Sequence, residues 1–181
     1  MSRGAASAAR VVLYLGRMSE PSGFLVRVAT PADAPILARH RVEMFRDMGR
    51  VGSEAVAEAL RAAAEPELRV WVADGSYVGW LAEPAGRAGE VVGGAGLQIR
   101  PLLPRPSRDG SAVLPGPEGY VLNVFVERAW RRRGVAALLM GQVLAHARER
   151  GLKTVTLHAS AEGKPLYEKL GFEQTNEMRL R

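Results

Sequence analysis

Cysteine is absent from the 181 residues, which excludes a disulfide framework, a thiol nucleophile and any thiolate-held metal, and suits a reducing compartment. Histidine occurs only at His40, His146 and His158, and no two of these share the close spacing that paired metal ligands need. No metal is therefore expected. Aromatic residues make up 6% of the chain, too few and too scattered for a surface that stacks on bases. No apolar run approaches the ~20 residues that span a bilayer. The run Val11-Val12-Leu13-Tyr14-Leu15 falls short of the roughly seven residues of a secretory core. A G-x-S-x-G turn is also missing, so a Ser–His–Asp hydrolase has no support.

What remains is an ordinary globular composition, 47% apolar and 24% charged, in a chain long enough for one domain with a proper core. The net charge is +6, and arginine far outnumbers lysine. Arg3, Arg10 and Arg17 lie near the N-terminus, and Arg131, Arg132 and Arg133 lie together in one turn. The other charges are scattered and mixed in sign, which leaves a nucleic-acid binder as the lesser alternative. Residues 1–23, rich in arginine and poor in acid, are expected to be a disordered leader, with Met18 within it as a candidate true start. A transit peptide is the other reading of that segment. Residues 24–181 form the expected domain, with the cytoplasm as its expected location.

Phe24 to Ala29 reads as a first strand. Thr30-Pro31-Ala32-Asp33 then starts a helix carrying Ile36, Leu37, His40, Met44 and Met48 at helical spacing until Gly49. A second helix is expected from Ser53 to Trp71, with Ser53 as N-cap and a break near Pro66. Strands at Tyr77–Glu83 and Glu90–Ile99 follow, joined by a hairpin-type connection. Gly93, Gly94 and Gly96 in the latter point to a bulge, a close approach to a ligand, or plain tight packing. The segment from Arg100 to Gly119 holds Pro101, Pro104, Pro106, Pro115 and Pro117 and reads as a flap or a surface excursion. A buried strand at Tyr120–Val126, a helix at Gly134–Arg150, a strand at Lys153–His158, a short helix at Pro165–Gly171 and a strand at Glu173–Leu180 complete an α/β fold.

The segment from Val124 to Ala136 runs an apolar strand into a turn with three arginines and then into a helix through Gly134. A helix start exposes unpaired N–H groups at the positive end of the macrodipole, glycine lets an anion approach the backbone, and arginine forks onto phosphate oxygens. The combination reads as a diphosphate cradle. A solvated surface turn is the plainer alternative.

From about residue 24 to 181 the chain resembles the GNAT superfamily of acyl-CoA-dependent N-acetyltransferases. Arg131-Arg132-Arg133-Gly134-Val135-Ala136 is similar to the family's R/Q-x-x-G-x-G/A turn, with Ala136 in place of the glycine many members carry. Leu166-Tyr167-Glu168-Lys169-Leu170-Gly171-Phe172, roughly thirty residues further on, is similar to the family's LYEKLGF segment. The resemblance implies a mixed central sheet flanked by helices, with acetyl-CoA in a V-shaped gap between central strands. Backbone amides of Arg131 to Ala136 would hold the pyrophosphate, and Val124 and Val126 would pair with pantetheine. An N–H of Val124 or Phe125 would polarise the thioester oxygen. Ser160 stands where an asparagine is common, with shorter reach to a pantetheine amide.

Tyr167 would be the general acid for the departing thiolate, a role suited to a phenol protonated at neutral pH. Its plainer reading is a packing residue. Glu43, Glu118, Glu127 and His158 are candidates for the base, with Glu43 ranked first because the first helix borders the acceptor in relatives. The acceptor would be a small-molecule amine or a peptide N-terminus. Homodimerisation, common among relatives, would bury a strand edge. A CoA-binding regulatory module without turnover is the alternative from a different class.

Overall fold

The structure is a computed structural model, and it describes residues 23–107, 109–178 and 180. The expected leader falls almost wholly on residues 1–22, outside the described residues. Five strands form the central sheet: β1 (Phe24–Val28), β2 (Tyr77–Pro84), β3 (Gly93–Arg100), β6 (Glu118–Val126) and β7 (Val155–Leu157), in the order β1-β2-β3-β6-β7. All neighbours are antiparallel except β6 and β7, which run parallel. That parallel pair requires a crossover, which α3 (Val135–Glu149) supplies. Two short strands, β4 (Arg105–Pro106) and β5 (Val113–Leu114), pair with each other inside the proline-rich excursion.

Strand alternation sends successive side chains to opposite faces, and the two faces have different covers. Trp80, Ala82, Ala95, Leu97 and Val121 join Val135, Leu139, Met140 and Val143 of α3 in one buried cluster. Tyr77 and Leu81 join Leu37 and Ala38 of α1 (Ala34–Asp47) and Leu68 of α2 (Glu54–Asp74) in the other. The glycine run in β3 serves packing. A Cβ at Gly96 would stand 2.1 Å from the Tyr77 hydroxyl, and one at Gly94 would stand 3.0 Å from Nδ1 of His40. The irregularity lies on the partner strand. Gly94 pairs with Phe125 but Gly96 pairs with Leu122, so β6 carries one extra residue there. Asn123 adopts a left-handed φ of 55° at that point, a region asparagine tolerates better than most residues. Its buried amide accepts from Arg41 Nη1 at 2.8 Å and donates to the Tyr77 hydroxyl at 3.4 Å.

Two expectations need correction. The second helix runs unbroken through Pro66 to Asp74 and ends at left-handed Gly75. Proline removes the N–H that would reach the carbonyl of Ala62, but both residues are exposed, so water can take that carbonyl. No strand forms at 173–178, where every residue is exposed. Glu173-Gln174-Thr175-Asn176-Glu177 offers no apolar face to bury, and β7 beside it is only three residues long.

The start of α1 is tied down by charge. Asp33 accepts from the Thr30 backbone N–H at 2.8 Å, closing a capping box, and binds Arg27 Nη2 at 2.8 Å. Arg27 Nε also reaches Glu83 at 2.7 Å. The Arg27 hydrogen bond, although opposed by burial and aided by Thr30, holds the Asp33 carboxyl down at about 2. An unfolded aspartate titrates near 3.9, so this contribution is fully present above about pH 4 and is lost as pH falls toward 2. The melting-temperature gap between wild type and Asp33→Asn is therefore expected to be constant from pH 7 to 5 and to narrow below pH 4. A gap that stays unchanged down to pH 2.5 would show that the carboxylate charge contributes nothing.

Candidate active site

β6 ends in a one-turn 3-10 helix, Arg128–Trp130, and the chain then enters α3 through Arg131–Gly134. Arg132 and Gly134 are both left-handed, with φ of 62° and 82°. Left-handed residues in a turn help aim neighbouring N–H groups into an anion-binding concavity. Gly134 occupies the N-cap of α3 and no side chain caps that end, so the first-turn amides face outward as donors. The three arginines play unequal parts. Arg131 donates from Nε to the Val126 carbonyl at 3.0 Å and pairs with Asp47, while Arg128 pairs with the same carboxylate at 2.8 Å. Burial pushes the Asp47 carboxyl up, but the hydrogen bonds from Arg128 and Arg131 prevail and leave it below its usual range. Arg131 thus fastens the turn to the end of α1. The Arg133 guanidinium lies 5.0 Å from the Trp130 ring centre, and Arg132 is exposed.

On the outer edge of β6 the ladder to β7 holds three pairs, Gly119–Val155, Tyr120–Thr156 and Val121–Leu157. β6 then continues to Val126, five residues past the last pair. Val124 and Val126 turn their side chains to the α3 cluster, and Phe125 packs against His40 with ring centres 5.1 Å apart. Beyond β7 comes α4 (Lys164–Lys169), which carries Tyr167. That ring packs against the α3 cluster and edge-on to Phe172 at 6.0 Å. Burial raises the Tyr167 phenol, which keeps it protonated and able to donate. The Ser160 hydroxyl accepts the Gly163 N–H at 3.1 Å, so it braces the turn into α4.

The candidate bases separate. Glu43 sits 3.6 Å from Arg46 and lines an open cleft of about 620 Å³ with Asp47, Val92, Phe125 and Trp130 at the far end of β6. Glu127 pairs with Arg39, and Glu118 lies 3.6 Å from Arg105. His158 follows β7 directly and meets the Tyr120 hydroxyl and Glu177. Sequence reasoning missed Asn123, Arg41 and Tyr120. The signal available for Asn123 was a lone polar residue inside an otherwise apolar run of β6. His40, expected on the buried stripe of α1, is fully buried, and burial together with the charge of Arg39 holds it down at about 3.

The family model described as acetyltransferase (GNAT) family matches residues 53–172. A GCN5-related N-acetyltransferase from Ralstonia eutropha JMP134 superposes with a TM-score of 0.76 at 33% identity, covering 88% of this chain and 98% of its own. A predicted acetyltransferase from Clostridium acetobutylicum, crystallised with acetyl-CoA, gives a TM-score of 0.72 at 24% identity, over 87% and 96% of the two chains. Glucosamine-6-phosphate N-acetyltransferase from Arabidopsis thaliana shares the fold at 18% identity and a TM-score of 0.59, covering 87% and 97%. Among curated proteins no match is found. By the family match and the first of these likenesses, the chain belongs to the GNAT family of acetyltransferases.

Proposed function

We propose that this protein transfers the acetyl group of acetyl-CoA to a primary amine by direct attack, in the cytoplasm. The observation that carries the reading is the uncapped N-terminus of α3, set at the end of a strand whose outer edge outruns its neighbour. The donor chemistry fits a diphosphate: outward amides, left-handed Arg132 and Gly134, and the exposed Arg132 side chain. Amides of Arg131 to Ala136 would hold the pyrophosphate, Val124 and Val126 the pantetheine by backbone pairing, and Ser160 its amide through the hydroxyl hydrogen. When bound, acetyl-CoA supplies an activated acyl carbon. An N–H of Val124 or Phe125 would polarise its oxygen, and Tyr167 would hold the proton that the leaving sulfur needs. With no cysteine in the chain, direct attack is the simpler course.

The first test is thermal unfolding with acetyl-CoA, with adenosine as the control. At one hundred times its dissociation constant the ligand adds about 2.7 kcal/mol to the folded state. For a chain of this size that is roughly 5–10 °C. Failure to shift at millimolar acetyl-CoA in well-folded protein would sink the reading. A shift without turnover on any amine would favour a CoA-binding module instead.

A further inference from the structure

Resting on the acetyl-transfer reading, we propose that Tyr120 takes the proton of the acceptor amine and that His158 and Glu177 behind it carry the charge away. The Tyr120 hydroxyl is hydrogen-bonded to Nδ1 of His158, and Nε2 of the same ring lies 2.8 Å from Glu177 Oε1. An ionised carboxylate can only accept, so Nε2 carries the ring hydrogen and Nδ1 presents its lone pair to the phenol. The polarity of the chain follows: Tyr120 donates to His158, and His158 donates to Glu177. Position supports the assignment. Tyr120 belongs to the second-last pair of the β6–β7 ladder and His158 is the first residue past its end, so the chain stands where the strands part.

Facing supports it as well. Leu122 packs with the α1 side and Leu157 with the α3 cluster, so alternation puts Tyr120 and His158 on the α1 side. Tyr167 packs on the other side. A proton acceptor and a proton donor therefore flank the fork from opposite faces. Among the described residues, charged groups also stand near the relay. The Arg100 guanidinium lies 3.4 Å above the Tyr120 ring. Arg41 of α1 is half-buried and electrostatically linked to Tyr120. Glu118 of β6 is spoken for by Arg105 and by Thr156 of β7 at 3.5 Å.

In the step, the amine nitrogen bonds to the acyl carbon while its N–H proton passes to the Tyr120 oxygen. The phenolic hydrogen moves to Nδ1 of His158, and Glu177 holds the resulting imidazolium through Nε2–H. The carbon–sulfur bond breaks, and sulfur takes the proton of Tyr167. His158, which is exposed, releases its proton to water, and Tyr167 recovers one.

Nitrogen-15 NMR of the histidines in the acetyl-CoA-loaded protein tests the geometry without turnover. His158 is expected as the Nε2–H tautomer, with His40 as a reference that does not titrate above pH 5. An Nδ1–H tautomer overturns the relay. Turnover is then measured with an aminoglycoside, glucosamine 6-phosphate and a short peptide with a free N-terminus. Tyr120→Phe is expected to lose about 100-fold or more in kcat. His158→Asn, which keeps an acceptor near the Nδ1 position, should lose about 10–100-fold and the acid limb of the pH–rate profile, with KM for acetyl-CoA within about twofold. If Glu43→Gln moves that limb and His158→Asn does not, the relay is wrong. If the wild-type protein neither responds to acetyl-CoA nor turns over any of the three amines, the parent reading fails and takes the relay with it.

Discussion

Tyr167→Phe is expected to lower kcat by about 10²–10⁴-fold while the KM for acetyl-CoA stays within a few-fold. Only the hydroxyl is removed. Phenylalanine keeps the edge-on contact with Phe172 and the packing against the α3 cluster, so stability should change by less than about 1.5 kcal/mol. The hydroxyl has no hydrogen-bond partner among the described residues, which leaves its proton available to an incoming group. A loss in kcat of that size corresponds to roughly 3–5 kcal/mol of transition-state stabilisation. Steady-state kinetics and a melting curve on the same preparation separate the outcomes. An unchanged kcat removes Tyr167 from the chemistry. A fall in kcat accompanied by a large drop in melting temperature marks it as a packing residue.

Gly96→Ala is expected to be strongly destabilising. The added carbon would stand 2.1 Å from the Tyr77 hydroxyl and 2.2–2.3 Å from two ring carbons. Tyr77 cannot yield cheaply. It is 1% exposed, its phenol is pushed up to about 12 by burial, and it accepts the Asn123 amide. Overpacking of this kind typically costs about 1–3 kcal/mol and more where the neighbour is rigid. We expect about 3 kcal/mol or more, a fall of roughly 6–12 °C, read by denaturant or thermal unfolding. The cause can be checked with a double-mutant cycle. Tyr77→Leu alone is destabilising, yet Gly96→Ala added to it should cost far less than in the wild type. Simple additivity would mean that the clash with Tyr77 is not the reason.

The elements that carry strong local signals were legible. Thr30-Pro31-Ala32-Asp33 announces a helix start, Gly49 stops the first helix, and the turn from Val126 into α3 is readable from Gly134 and its arginines. Where local and tertiary forces disagree, reading failed. Pro66 looks like a break, but packing along α2 and the solvent exposure of that turn outweigh it. Glu173 to Leu180 looks extended, but Glu173 to Glu177 offer no apolar face to bury, and no strand forms over 173–178. At the site, Tyr167 and the cradle follow from short contiguous patterns. Tyr120 and His158 lie thirty-eight residues apart and meet only because β6 and β7 pair in parallel. No window of sequence contains that meeting.

The extra residue at Asn123 has a consequence for how this segment can vary. Val121 and Val124 both face α3, although three positions separate them, because β6 changes phase at the bulge. Leu122 and Phe125 share the opposite side for the same reason. Removing Asn123 would restore a regular ladder and leave Val121 and Val124 still facing α3, at the cost of the amide that joins Arg41 to Tyr77. Adding a second residue elsewhere in the segment would shift the phase again and turn one half of the strand inside out. The bulge can therefore be lost with its side chain, whereas a further insertion between Tyr120 and Val126 cannot be absorbed by the neighbouring faces.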